Sequence, residues 1–338
     1  MMRIYLTGGS GLLGSHFAQV ATVEGAGVVS LVRPTSHTAY LESLGVALSR
    51  GTLQDVASLT SGMQGCDAVV HAASPVGGWG SPKLYGENTV DGTRNVIAAM
   101  EASSVRTLIH ISTISVHGLD PIQGKAVSEA NGFGSQFLPY DHYGRAKVKA
   151  EQMVKEAHDA GQIRATVLRP GWMYGPRDKN SYGRLGDMMR RGLAIRVGKG
   201  ENQVSLTYAG NVARAIWLAL VKESAEYRVY LCANDGKATQ NDYFDSLARA
   251  THAARGPISL PKGFLLGLGR VQELLSVLFG YKLPVLLSCY VVHLLGSEAR
   301  FDQSRIERDL GYSPQVSYAQ GFAATEEWYR ASRNMTSS

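Results

Sequence analysis

Cysteine is scarce: Cys66, Cys232 and Cys289 are the only three in 338 residues, far apart and in no metal-like spacing. That excludes a disulfide scaffold and a cysteine-based metal site, and it points to a reducing, cytoplasmic setting. Charge is sparse too, at 18% of residues, and the net +6 is spread along the chain. No Lys/Arg run is dense enough for a nucleic-acid surface, so no such partner is expected. Among His71, His110, His117 and His142 no pair has metal-ligand spacing, and no metal is expected. His71 and His110 fall inside apolar strands and read as hydrogen-bonded core residues. No signal peptide is expected, because the first apolar segment already reads as a strand.

Uninterrupted apolar runs are also missing. The most apolar stretch, residues 258–296, is broken by Lys262, Arg270, Glu273, Lys282 and Pro284. It falls short of the roughly 18 apolar residues that a spanning helix needs. It reads as helices covering a substrate pocket. The alternative is a patch that lies on a membrane surface, since Leu/Phe stripes flanked by Lys and Arg can do so.

What is present is an α/β pattern. A hydrophobic fraction of 44% describes a folded globule, and 338 residues suit a large domain with a subdomain. Apolar strands read at 3–7, 27–32, 46–50, 68–73, 107–112 and 164–169. Helical stretches fall near 11–23, 55–63, 86–103, 143–160 and 211–222. This alternation predicts a doubly wound parallel sheet of Rossmann type over 1–170, to which 211–232 returns. A smaller C-terminal substrate-binding subdomain is expected over 171–330, followed by a tail at 331–338.

Chemistry enters at the first strand's end. Gly8, Gly11 and Gly14 follow Met2–Thr7 and open a helix, a spacing that suits a dinucleotide-binding corner. Glycine permits the tight turn and close backbone approach, and the helix N-terminus offers N–H groups to a pyrophosphate. Arg33 ends the second strand, about 20 residues on, where an acid would bond a ribose 2′-hydroxyl. An arginine there attracts a 2′-phosphate, which favours NADP(H) over NAD(H). Tyr143 and Lys147 stand four apart at the start of a long helix, hence one turn apart on one face. An ammonium near a phenol draws its pKa down from about 10, so that it can exchange a proton with a carbonyl or alcohol oxygen. Ser112 and Thr113 end a strand between these motifs, at the edge where ligands bind in open α/β sheets.

Together these segments resemble the extended short-chain dehydrogenase/reductase family. The resemblance rests on TGGSGLLG at 7–14, HAAS at 71–74, ENTVDGTRN at 87–95, STISVHG at 112–118, YGRAK at 143–147 and LRPGWMYGP at 168–176. A closing segment at 310–330 matches as well. The resemblance implies Tyr143 as acid/base, Lys147 on the nicotinamide ribose and Thr113 orienting the substrate. It implies a pyrophosphate cradle of Gly8, Ser10, Gly11, Leu12, Leu13 and Gly14. Leu53 would touch adenine, although Thr52 stands where the family often has an aspartate. Ala72, Ala73 and Ser74 would line the cofactor, and Pro170, Trp172 and Met173 would flank the carboxamide. A homodimer paired through helices 86–103 and 143–160 is implied too.

Departures narrow the chemistry. Sugar-nucleotide dehydratases carry an acidic pair after the catalytic hydroxyl, where this chain has Ile114 and Ser115. The motifs are more similar to the 3β-hydroxysteroid and sterol dehydrogenase branch. An apolar pocket there suits a steroid, a long acyl chain or an aromatic ketone. The reading is an NADP(H)-dependent oxidoreductase of a hydrophobic ketone and secondary alcohol. A nucleotide-sugar epimerase with tightly held cofactor is the rival, kept open by Arg177, Arg184, Arg190, Arg191 and Arg196, which otherwise read as a solvated basic helix. A non-catalytic dinucleotide sensor is a second rival.

Overall fold

The computed structural model describes residues 1–119, 126–222, 224–253, 255–298 and 300–334. Its strands are β1 (Arg3–Thr7), β2 (Gly27–Val32), β3 (Ala47–Arg50), β4 (Ala68–His71), β5 (Thr107–Ile111), β6 (Arg164–Pro170), β7 (Trp172–Tyr174), β8 (Ile195–Val197), β9 (Leu206–Tyr208), β10 (Arg228–Cys232) and β11 (Ile258–Leu260). Seven of them form one sheet in the order β10-β6-β5-β4-β1-β2-β3, with every pair parallel. The chain leaves β1 toward β2 on one side and later returns to β4 on the other. That reversal opens a crevice at the strands' C-terminal ends, the usual ligand position in such sheets.

Alternation along the strands builds two cores. Ile4 and Leu6 face one layer with Phe17 of α1 (Leu12–Val23); α2 (Ala39–Ser43) adds Leu41 to the same core. Tyr5 and Val69 face the opposite layer, with Leu59 and Met63 of α3 (Val56–Met63). A short helix α4 (Pro82–Tyr85) precedes α5 (Gly92–Ala102), whose Val96 joins that second core with Val154 of α6 (His142–Asp159). Each fully buried Leu, Ile or Phe contributes about 1.5–3 kcal/mol, so these cores hold the sheet.

One predicted helix is not continuous. The stretch 86–103 begins with a π-helical turn over Gly86–Asp91 and becomes α-helical only at Gly92. Glycines at both joints lower the helical preference there, and wide turns of this kind recur at functional sites.

The second unit carries α7 (Tyr182–Arg190), α9 (Gln240–Thr251) and α13 (Tyr318–Asn334) around an aromatic core of Tyr174, Tyr182, Tyr243, Phe322 and Tyr329. Two small sheets, β7 with β9 and β8 with β11, hang these helices on the molecule. Between those elements, α8 (Ala209–Val221) packs Val212 and Ile216 into the α1 layer, and β10 edges the main sheet. The apolar segment forms α10 (Lys262–Leu278) and α11 (Cys289–Gly296), followed by α12 (Ser304–Leu310). No helix among the described residues is long and apolar enough to cross a membrane. Residues 331–334, which the sequence assigns to a tail, continue α13, and 335–338 lie outside the described residues.

Candidate active site

The glycine corner has the geometry that a dinucleotide requires. Gly8 has φ +77°, and a Cβ there would stand 2.8 Å from the Ala73 nitrogen. A Cβ on Gly14 would stand 2.2 Å from the Gly8 carbonyl oxygen, so α1 meets the turn only because this residue has no side chain. Gly11 caps α1 without any side-chain hydrogen bond, leaving first-turn N–H groups to an outside acceptor. Ser10 and Gly11 are exposed here, whereas Leu13 is buried in the α1 core. These features fit a bound pyrophosphate.

Across the corner, the Thr7 hydroxyl accepts from the Ala73 N–H at 3.2 Å. Ser74 Oγ meets Thr89 Oγ1 at 2.9 Å, so the π-helical turn is what delivers Thr89 to this edge. Arg33 is exposed at the end of β2, and its guanidinium makes no hydrogen bond or ion pair among the described residues. Leu53 is buried against Gly92, with its carbonyl oxygen accepting from Asn95 Nδ2. Pro170 closes β6, and Met173 packs against the α1 core. Trp172 turns instead to the second unit, its ring 4.4 Å from that of Tyr243.

Tyr143 lies in the first turn of α6, packed between Tyr85 and Tyr290 with ring centroids 5.8 and 6.4 Å away. The Thr113 side chain lies close enough to the phenol to pull its pKa downward, so these two sequence candidates are brought together. Burial nevertheless dominates and pushes the phenol up to about 12, with nearby Asp141 adding in the same direction. This differs from the expectation that Lys147 draws it down. Lys147 Nζ donates instead to the Ile111 carbonyl oxygen at 2.9 Å, and its own burial lowers the ammonium to about 8.

Three further groups shape the site. Asp141 caps α6, accepts from the Gly144 N–H at 2.8 Å, and is raised to about 6 by burial. Glu151, one turn beyond Lys147, is paired with the equally buried Arg169 and accepts from Ser112 Oγ at 2.7 Å. The carboxylate thereby fixes the strand end that carries the Ile111 carbonyl. Ser115 stands 3.1 Å from Thr113 Oγ1 and 2.5 Å from the Tyr290 hydroxyl, while Ile114 beside it points into a small core with Leu231. Asp141, Glu151 and Arg169 lie in or near the quoted motifs, and their roles appear only once the chain is folded. Nothing in the apolar stretch singles out Tyr290.

Two other readings are corrected. His71 is hydrogen-bonded to Thr7 and Thr93, as expected. Both ring nitrogens of His110, however, are buried without a hydrogen-bond partner among the described residues, because its neighbour is the His71 ring 5.5 Å away. The arginines do not form one solvated helix either. Arg184, Arg190 and Arg191 are exposed, but Arg196 bonds Ser259 and Asn241, and Arg177 Nε donates to Ser15 Oγ at 2.8 Å while lying over the Tyr40 ring.

A family model described as NAD dependent epimerase/dehydratase matches residues 4–233. The chain is 31% identical to the 2-alkyl-3-oxoalkanoate reductase of Stenotrophomonas maltophilia over 95% of its own length and 97% of the relative's. It is 26% identical to the decarboxylating sterol-4-alpha-carboxylate 3-dehydrogenase of Candida albicans, covering 97% of each chain. The solved UDP-glucuronic acid 4-epimerase of Bacillus cereus, in complex with UDP-glucuronic acid and NAD, superposes with a TM-score of 0.75 at 23% identity, over 98% of this chain and 99% of that one.

Proposed function

The chain belongs to the NAD dependent epimerase/dehydratase family, the extended short-chain dehydrogenases/reductases, and we propose that it interconverts a hydrophobic ketone and its secondary alcohol with NADP(H). It is a nicotinamide-dinucleotide-dependent oxidoreductase with a Rossmann-type sheet. The observation that carries it is Tyr143 with the Thr113 side chain near its phenol and Lys147, one helical turn on, anchored on the Ile111 carbonyl at the end of β5.

In this reading the bound cofactor supplies or takes the hydride. Gly8, Ser10, Gly11, Leu12, Leu13 and Gly14 hold its pyrophosphate, and Arg33 pairs with a 2′-phosphate. Leu53 lies toward the adenine end, Ala72, Ala73 and Ser74 line the cleft, and Pro170 and Met173 border the nicotinamide. The substrate oxygen accepts hydrogen bonds from Thr113 and Tyr143. Tyr143, protonated throughout the neutral range, gives its proton to that oxygen as charge develops there. Lys147 contributes a cation behind the phenol and a hold on the ribose. Dehydratase chemistry is disfavoured because Ile114 is turned into the core and Ser115 carries no acid.

The relatives' names support a ketone bearing alkyl or sterol bulk, and the apolar α10–α11 segment beside Tyr143 supports the same class. We further propose a homodimer paired through α5 and α6, in the cytoplasm, with the outer face of α10 resting on an anionic lipid surface. That face exposes Phe264, Val271 and Leu278, flanked by exposed Arg270 and Lys282, while Glu273, the one acid in 258–296, is buried.

The test is a screen of hydrophobic ketones against NADPH and NADH, followed by absorbance of the reduced cofactor. Net oxidation of NADPH with at least one ketone is the expected result. A cofactor that stays bound with no net consumption, alongside interconversion of sugar nucleotides, would establish the epimerase instead.

A further inference from the structure

The groups that a substrate has to reach stand under a double cover. Thr113 is only 7% exposed, and its neighbour Ser115 is hydrogen-bonded to the Tyr290 hydroxyl at 2.5 Å. Tyr290 comes from α11, and its ring lies edge-on to that of Tyr143. A second segment closes in from the end of β4. The loop at 75–80 is tied to Tyr85, whose hydroxyl donates to the Gly77 carbonyl oxygen at 3.0 Å and whose ring packs on Tyr143. This loop meets α11 with no space to spare. A Cβ on Gly78 would stand 2.6 Å from Val291 Cγ2 and 2.7 Å from Ser288 Oγ.

The two segments are latched at one place. Trp79 Nε1 donates to Ser276 Oγ at 3.1 Å near the end of α10, and the Trp79 ring lies 5.7 Å from that of Tyr281. The Tyr281 hydroxyl meets His142 Nε2 at 3.0 Å, and Trp79 stands edge-on to Tyr140 at 5.9 Å. The β4 loop, the start of α6 and the turn after α10 are thus joined by Trp79, Tyr140, His142 and Tyr281, directly beside Tyr143. The turn that carries the latch is strained. Tyr281 has φ +63°, a left-handed conformation that is costly for an aromatic residue. The contacts with Trp79 and His142 hold it there, so their release lets the turn relax into a second arrangement.

We propose that the turn at 279–288 and the loop at 75–80 are the two halves of a lid, shut over Thr113 and Tyr143 in this structure and fastened by Trp79 and Tyr281, which opens to pass substrate and product. What passes rests on the ketone-reductase reading, whereas the closure stands on the contacts alone. Shut, the lid keeps bulk water from the phenol and from the oxygen that it protonates.

The test locks the lid. Gly78→Cys and Ser288→Cys, with Val291→Ala to make room, are combined in the full-length protein, and peptide mapping confirms the engineered disulfide. In the oxidised form, reduction of a hydrophobic ketone by NADPH should fall by about tenfold or more and return on adding dithiothreitol, with NADPH bound equally in both forms. Full turnover with the disulfide closed, or parallel loss of NADPH binding, overturns the lid. A second measurement needs no substrate. Lys282 lies exposed in the turn, and trypsin cleavage after it reads how often the turn leaves its seat. Trp79→Phe and Tyr281→Phe, each short of one latch hydrogen bond, should be cut there about tenfold faster at an unchanged unfolding temperature. The oxidised lock should be cut more slowly than its reduced form. If no ketone is reduced by any form, wild type included, the reductase reading falls and the cleavage rates decide the lid alone. Equal rates in wild type, latch variants and lock overturn it.

Discussion

At the scale of single residues, the site combines a phenol held in its protonated form with a lysine whose charge is vulnerable. Burial raises Tyr143 to about 12 and lowers Lys147 to about 8. Ketone reduction should therefore fall above about pH 8 as Lys147 loses its ammonium, while the phenol remains a donor. A Lys147→Arg variant, whose guanidinium stays charged, should lose that alkaline limb even if its rate is lower. A pH–rate profile of both proteins checks this, and an unchanged limb would remove Lys147 from the account. The sign for stability is opposite. Lys147 folds with a lowered pKa, so between about 8 and its unfolded value of about 10.4 the unfolded chain binds more protons, and this residue's contribution to stability rises with pH. At the cofactor end, Arg33→Asp should shift the preference from NADPH toward NADH by about tenfold or more, read as the ratio of kcat/KM for the two cofactors. Equal ratios in both proteins would leave the 2′-phosphate contact without support.

At the scale of elements, much was legible because single physical constraints fix it. The strand-then-glycine corner needs an absent Cβ at Gly8 and Gly14, and that need shows in sequence as plainly as in space. Tyr143 and Lys147 share a face because the helix repeat places them there, and the capping Asp141 starts that helix two residues ahead of the phenol. The pKa balance was not legible, since it depends on burial by Tyr85 and Tyr290, which reach the phenol from elsewhere in the chain. Nor was the widened turn before α5, where two glycines relax a pattern that otherwise reads as continuous helix. Gly14→Ala should keep the fold and weaken NADPH binding sharply, because its methyl group must displace the Gly8 carbonyl. A fluorescence titration reads this, and unaltered affinity would mean that the cradle tolerates a shift. Arg169→Met leaves Glu151 charged and buried, and should cost about 3–5 kcal/mol of unfolding free energy. Denaturant unfolding measures that loss.

At the scale of the whole molecule, the sheet supplies a cofactor edge and the α10–α11 segment closes over it from the second unit. That segment was legible as unusually apolar, but the sequence could not say which side faces where. The fold splits it. Leu265, Val292 and Leu295 form an inner cluster, Tyr290 reaches the site, and Phe264, Val271 and Leu278 face outward. If the outward face meets lipid, the protein should sediment with anionic vesicles more than with neutral ones, and Leu278→Asp should weaken that binding while leaving the unfolding temperature unchanged. Equal sedimentation with no vesicle bound would limit the segment to its inner role.

In the reduction proposed above, the bound cofactor would supply hydride to a ketone carbon while Tyr143 protonates the oxygen. Incubation with NADPH deuterated at the transferred position of C4 and a substrate ketone tests it directly, with mass spectrometry of the product. One deuterium is expected on the carbinol carbon of the alcohol with wild-type protein, and none with Tyr143→Phe, although that variant still binds NADPH. Product without deuterium, or deuterium that returns to the cofactor with no net alcohol formed, would contradict it.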